Sequence, residues 1–141
     1  MPFEYLEHEA DVGILASGKT LEEAFEEGAK AMFNVMVDIK RVEAKNRIKL
    51  SSEAPDIASL FVEWLNELLT QSGLKNLIFS KFKINAIKKS GGSLKLKAEA
   101  WGEELNPKKH NVKTEVKAAT YSGLKFEEKK SKFYLQCVLD V

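Results

Sequence analysis

Two stretches of the chain carry apolar residues at three- and four-residue steps, and the remainder alternates or breaks. Leu21, Ala24, Phe25, Ala29, Met32, Phe33 and Met36 share one face of a helix predicted to run to about Val37. Thr20-Leu21-Glu22-Glu23 in front of it reads as a capping box, with the Thr20 oxygen accepting from the third helical N–H and Glu23 reaching back. Gly28 lies within the pattern, where a missing side chain lets another element come close. Ile57, Leu60, Phe61, Trp64, Leu65, Leu68 and Leu69 form a second stripe. Pro55 suits its first turn, where the missing N–H is no loss, and Gly73 is the expected stop. Both stripes are predicted to lie on a sheet.

The rest reads as strands. Phe3–Leu6 and Val12–Ser17 are short candidates, and Arg47–Ser51 places Ile48 and Leu50 on one side. Phe79–Ile87 and Ser93–Trp101 flank the polar, glycine-containing Lys88-Lys89-Ser90-Gly91-Gly92 and predict a hairpin. Thr114–Tyr121, Leu124–Glu128 and Lys132–Val141 follow, with turns expected at Tyr121-Ser122-Gly123 and Glu128–Ser131. Strands and helices do not alternate regularly. The expected fold class is therefore α+β: a single compact domain over residues 1–141, with a mixed or antiparallel sheet packed by two main helices.

Composition narrows the function. The chain has 141 residues, of which 44% are hydrophobic and 30% charged, enough to bury a core and too ordered a mixture for a disordered chain. Lys and Arg total 22 against 21 Asp and Glu, so a net charge of +1 gives no reason for strong, non-specific nucleic-acid binding. A protein partner is the better expectation, with RNA touched only indirectly or weakly. The single cysteine, Cys137, lies in the apolar run Tyr134–Leu139 and reads as a buried thiol. One unpaired cysteine fits a reducing, cytoplasmic setting. The N-terminus lacks the pattern of a signal peptide, and no apolar run approaches the ~20 residues needed to span a bilayer. No Walker loop, Gly-x-Ser-x-Gly, Cys-x-x-Cys or dinucleotide glycine pattern is present.

Candidate chemistry gathers at the two ends. His8-Glu9-Ala10-Asp11-Val12-Gly13 puts polar groups into the first strand region, and the sequence closes on Leu139-Asp140-Val141. Carboxylates at adjacent strand ends repel unless protonated, hydrated or metal-bound, and Ca²⁺ or Mg²⁺ prefers such oxygen ligands. On spacing alone, two solvated acids are the simpler reading. Glu22, Glu23, Glu26 and Glu27 read as the solvated face and first turns of a helix. Lys81, Lys83, Lys88, Lys89, Lys95 and Lys97 read as the wet face of a sheet, without interleaved aromatics for base stacking. Gly102 to His110 is a polar loop punctuated by Asn106-Pro107, either a binding loop or simply exposed.

Taken together, these segments resemble one family. His8-Glu9-Ala10-Asp11-Val12-Gly13, Gly18-Lys19-Thr20-Leu21-Glu22-Glu23-Ala24-Phe25, Gly102-Glu103-Glu104, His110, Glu115-Val116-Lys117-Ala118, Thr120-Tyr121 and the terminal Val138-Leu139-Asp140-Val141 are similar, in order and spacing, to archease proteins. The resemblance implies a compact α+β fold and a divalent metal site, usually described as binding calcium. It maps Asp11 and Asp140 to acidic ligands and Val141 to a ligand through its terminal carboxylate or main-chain oxygen. His8, Glu115 and Lys117 match polar positions with a supporting or partner-contact role. Asn106-Pro107-Lys108-Lys109-His110 lacks the acidic residue and arginine expected before this histidine.

The family also implies a function: activation of the tRNA-splicing RNA ligase rather than catalysis of its own. That ligase consumes GTP and guanylylates its active-site histidine. Archease promotes the guanylylation, sustains multiple turnover and is associated with a broader choice of nucleotide cofactor. Three other readings stay open from sequence. They are an RNA-binding or chaperone-like module using the lysine face, a small metal-dependent hydrolase, and a purely structural metal at the chain ends.

Overall fold

Thr20 caps the first helix as its sequence requires: its hydroxyl oxygen accepts from the Glu23 N–H at 3.0 Å. The computed structural model describes residues 2–6 and 11–141; His8, Glu9 and Ala10 lie outside the described residues. Helix α1 spans Leu21–Met36 and α2 spans Ile57–Lys75, with a short α3 at Pro107–His110 and a single 3-10 turn at Ile39–Arg41. The strands are β1 (Phe3–Leu6), β2 (Asp11–Gly18), β3 (Asn46–Ala54), β4 (Leu77–Ser90), β5 (Ser93–Glu104), β6 (Ala118–Lys129) and β7 (Lys132–Asp140).

The expected sheet is two sheets, both antiparallel: β1-β2-β7-β6 and β3-β5-β4. Helix α1 packs on β2 and β4, and α2 packs on β3 and β6, so each helix touches both sheets. Among the described residues no strand of one sheet comes within 8 Å, Cα to Cα, of a strand of the other; the helices join them. This explains why α1 is buried well beyond one stripe. Its Phe25 ring meets Phe61 of α2 edge-on at 5.4 Å, and its Phe33 meets Phe79 of β4 at 5.5 Å. The indole N–H of Trp64 donates to the Phe25 carbonyl at 3.0 Å, which satisfies the polar atom of a fully buried side chain.

Several local readings need correction. Glu26 and Glu27 do not lie on a solvated face. Glu27 is buried and accepts from Lys30 at 2.8 Å. Glu26 accepts from the Ile84 N–H at 2.9 Å, where the β4–β5 register slips between Ile84 and Ala86. Burial pushes its carboxyl pKa up, partly offset by that N–H. Helix α2 begins after Asp56, whose side chain accepts from the Ser59 N–H, so Pro55 precedes the cap. It also runs through Gly73 to a left-handed Asn76, whose N–H donates to the Ser72 carbonyl.

Tyr121-Ser122-Gly123 is not a turn between strands. It lies inside β6, where the register slips between Thr120 and Lys125. Gly123 takes a positive φ of 61°, while Gln136 donates to its carbonyl at 3.2 Å and Thr120 donates to the Val138 carbonyl at 2.8 Å. These bonds hold the bulged segment on β7. The turn that closes β6 and β7 is tighter than expected, with Lys130 and Ser131 both at positive φ.

Gly28 sits where α1 and α2 touch. A Cβ there would stand 2.3 Å from the Phe61 ring, whereas a Cβ at Gly73 meets nothing within 4 Å. Gly28→Ala is therefore expected to destabilise by about 1–3 kcal/mol through overpacking. Gly73→Ala should stabilise by up to about 1 kcal/mol through helix propensity. Urea denaturation of both variants checks the pair; equal shifts of the same sign would refute this packing.

Candidate functional site

Strand β2 begins at Asp11 and β7 ends at Asp140, and the antiparallel register sets these two residues directly opposite each other. Directly opposed Cβ atoms stand about 4.5–5.5 Å apart, and like charges in such a pair are destabilising. Asp140 is exposed and Asp11 partly so. Among the described residues, neither forms a salt bridge with a cationic side chain. On its other side Asp140 pairs with Ala118 of β6, and its carbonyl accepts from the Lys117 N–H at 2.8 Å. Val141 follows, half-buried against the core. The predicted Asp11, Asp140, Val141 and Lys117 are thus neighbours at one sheet end. His8 lies outside the described residues.

Glu115 and Lys117 are exposed on either side of a buried Val116, which anchors their segment. They border an open cleft of about 570 Å³ whose other wall is the C-terminal half of α2, including Asn66, Leu69 and Thr70. Asn66 fixes that wall to the sheet. Its side-chain amide donates to the Ala119 carbonyl at 3.0 Å and its oxygen accepts from the Ala119 N–H at 2.8 Å. The carboxylate pair therefore sits near a cleft built by α2 and the Glu115–Lys117 segment that leads into β6 beside Asp140.

The approach to this segment is held by a polar cluster that the polar loop reading did not foresee. Asn106 caps α3 by accepting from the Lys108 and Lys109 N–H groups. His110 is fully buried, neither a binding residue on a free loop nor an exposed one. Its Nδ1 accepts from the Asn106 N–H at 3.0 Å, so Nε2 carries the proton and donates to Glu103 at 2.9 Å. Both ring nitrogens are committed to the fold. Glu103 also accepts from the Glu43 N–H at 2.8 Å and pairs with Lys109 at 2.9 Å. The Glu43 N–H leads in holding the Glu103 carboxyl at a pKa of about 2, against the cost of burial and with help from His110 and Lys109. Beyond it, the His110 carbonyl accepts from the Asp38 N–H and the Lys113 N–H donates to the Met36 carbonyl.

Cys137 offers no competing chemistry. It is fully buried in β7, and burial pushes its thiol up to about 12, so no thiolate nucleophile is available at neutral pH. No helix among the described residues is long and apolar enough to cross a membrane.

The family model of the archease protein family matches residues 3–141. The chain belongs to the archease family. It is 40% identical over 139 residues to the protein archease of Methanosarcina mazei, covering 99% of this chain and 95% of that one. The solution structure of Methanobacterium thermoautotrophicum protein 1598 has a TM-score of 0.87 at 36% identity, with 99% of each chain covered. The crystal structure of an archease from Thermotoga maritima, described as a possible chaperone, has a TM-score of 0.58 at 22% identity. It covers 96% of this chain and 94% of that one, and shows likeness of fold alone. The α+β fold expected for an archease is the fold observed.

The groups that sequence reasoning missed in this archease chain are Glu43, Asn66 and Lys109, and the partnership of Glu103 with His110. Asn66 gave no signal, because an amide on the edge of an apolar helix stripe looks solvated. Glu103 and His110 were visible as isolated matching letters, seven positions apart, with nothing to show that one is bonded to the other.

The depressed pKa of Glu103 predicts an acid dependence. Its folded value, about 2, lies below the ordinary 4.5, so the ionised group contributes stability above about pH 4.5 that is lost as the pH falls toward 2. Glu103→Gln should lower stability at pH 7 and flatten the fall between pH 4.5 and 2. Denaturant midpoints across that range test it; a variant with the wild-type slope would contradict the role given to Glu103.

Proposed function

We propose that this chain is a metal-binding accessory protein that activates a tRNA-splicing RNA ligase, promoting its guanylylation and multiple turnover and broadening its use of nucleotide cofactors. The observation that carries the metal part is the direct opposition of Asp11 and Asp140 across β2 and β7. Two carboxylates placed side by side form an oxygen donor set suited to a hard divalent cation, and calcium is the ion proposed. Asp11, Asp140 and an oxygen of Val141 would hold it, with His8 in support. Among the described residues no third His, Cys, Asp or Glu side chain joins a cluster with them, so main-chain oxygen and water complete the shell. When bound, the cation would neutralise the pair and offer positive charge to phosphate oxygens at the ligase's nucleotide site.

The ligase as partner rests on family membership. The protein's own residues supply placement. The β2–β7 ladder sets the carboxylates, the Lys117 N–H occupies the Asp140 carbonyl, and Glu115 and Lys117 present exposed charge beside the cleft. Accessory action, rather than turnover by this chain, agrees with the site's makeup. The described residues beside the pair hold no base–nucleophile couple, both nitrogens of His110 are engaged, and Cys137 is buried.

The test is guanylylation of a cognate ligase with GTP and its metal, with wild-type protein, Asp11→Ala or Asp140→Ala. Loss of a direct metal ligand should weaken metal affinity and stimulation by at least the roughly 10–100-fold that loss of an outer-shell partner costs, while circular dichroism stays unchanged. Full stimulation by both variants would sink the metal reading, and no stimulation by the wild type would sink the ligase reading.

A further inference from the structure

The β3-β5-β4 sheet turns one face to α1 and α2 and leaves the other open. Cross-strand pairing sorts the open face into four rows: Arg47, Trp101 and Lys81; Lys49, Glu99 and Lys83; Ser51, Lys97 and Ala86; Glu53, Lys95 and Lys88. Seven of these twelve residues are cationic and two are acidic, so the face carries +5 while the whole chain carries +1. Most of the charge imbalance of the molecule is therefore hidden in its total.

We propose that this face binds the phosphate backbone of a single nucleic-acid strand, laid along the sheet and read without sequence preference. Alternate side chains on a strand lie about 6.6–6.8 Å apart and neighbouring strands about 4.7–4.9 Å apart. Four rows on three strands give a band of charge about 20 Å long and 10 Å across, wide enough for one strand. The face lacks the apolar anchor that a protein interface needs. Its one large apolar side chain, Trp101, is half-buried and has the Lys81 ammonium 4.7 Å above its ring. The exposed large hydrophobics Tyr5, Leu74, Leu105, Val112 and Tyr121 all lie on other elements. Regular cations without an apolar centre favour a polyanion with regular charges over an acidic protein segment. The inference does not rest on the ligase reading, since it concerns the isolated protein.

Fluorescence anisotropy with a labelled oligouridylate tests it, at several salt concentrations and with polyglutamate as competitor. Non-specific binding with a Kd of about 10⁻⁴–10⁻⁶ M is expected at physiological salt, and four phosphate contacts give a log–log salt slope of about −3. Lys88→Glu with Lys97→Glu reverses two charges without facing a neighbouring acid in the register, and should weaken binding at least about tenfold. Lys125→Glu with Lys129→Glu makes the same change of net charge on β6, and should leave binding nearly intact. Thermal melting of both double variants establishes that they fold. Absence of binding at low salt, equal weakening by both variants, or equal competition by polyglutamate at matched charge would each overturn the proposal.

Discussion

Two acidic residues face each other across the β2–β7 ladder, and the surrounding structure fixes their backbone positions. Asp11 and Asp140 are register partners in a pairing that continues without a slip to Gly18 and Phe133. Separating the two backbone positions would mean shifting the whole strand, which would turn the buried Ile14, Ala16, Leu135 and Cys137 toward solvent. The core therefore enforces the opposition. A cation shared by the pair, as proposed above, would relieve it.

Around this end the fold spends its specific polar contacts on placing backbone. Asn66 holds Ala119, Lys117 caps the Asp140 carbonyl, and Glu103 with His110 anchors the segment that leads to Glu115. None of these groups needs to touch a ligand to matter. Each limits how far the exposed charges beside the cleft can move. The basic sheet face is separate, on a different sheet, so the two proposed contacts would not compete for one surface.

Elements governed by local chemistry were legible in the sequence. Thr20 announced α1, Gly28 announced a close approach, and the Gly91-Gly92 hairpin followed from its residues. Readings failed where tertiary structure overrode a local signal. Gly73 costs α2 up to about 1 kcal/mol of helix propensity, yet the helix continues through Leu74 and Lys75 to a left-handed Asn76 cap. Gly123 bends the chain, yet bonds from Gln136 and Thr120 keep β6 whole. Asp11 and Asp140 stand at opposite ends of the chain, and only the register of β2 on β7 joins them; their suspected kinship came from family resemblance. His110 reads from sequence as part of a loop that either binds or is simply exposed, because its burial is set by Glu103, Asn106 and the end of α1, none of which its immediate sequence reveals.

Thermal unfolding as a function of calcium concentration, for the wild type and an Asp11→Asn, Asp140→Asn double variant, tests the central claim most directly. Removing the repulsion should make the metal-free double variant at least as stable as the metal-free wild type. Calcium should then raise the wild-type midpoint progressively, as unfolding free energy grows by about 2.7 kcal/mol at a hundredfold excess over Kd, and leave the double variant unmoved. A wild-type midpoint indifferent to calcium, or an equal rise in both proteins, would contradict a cation held between Asp11 and Asp140.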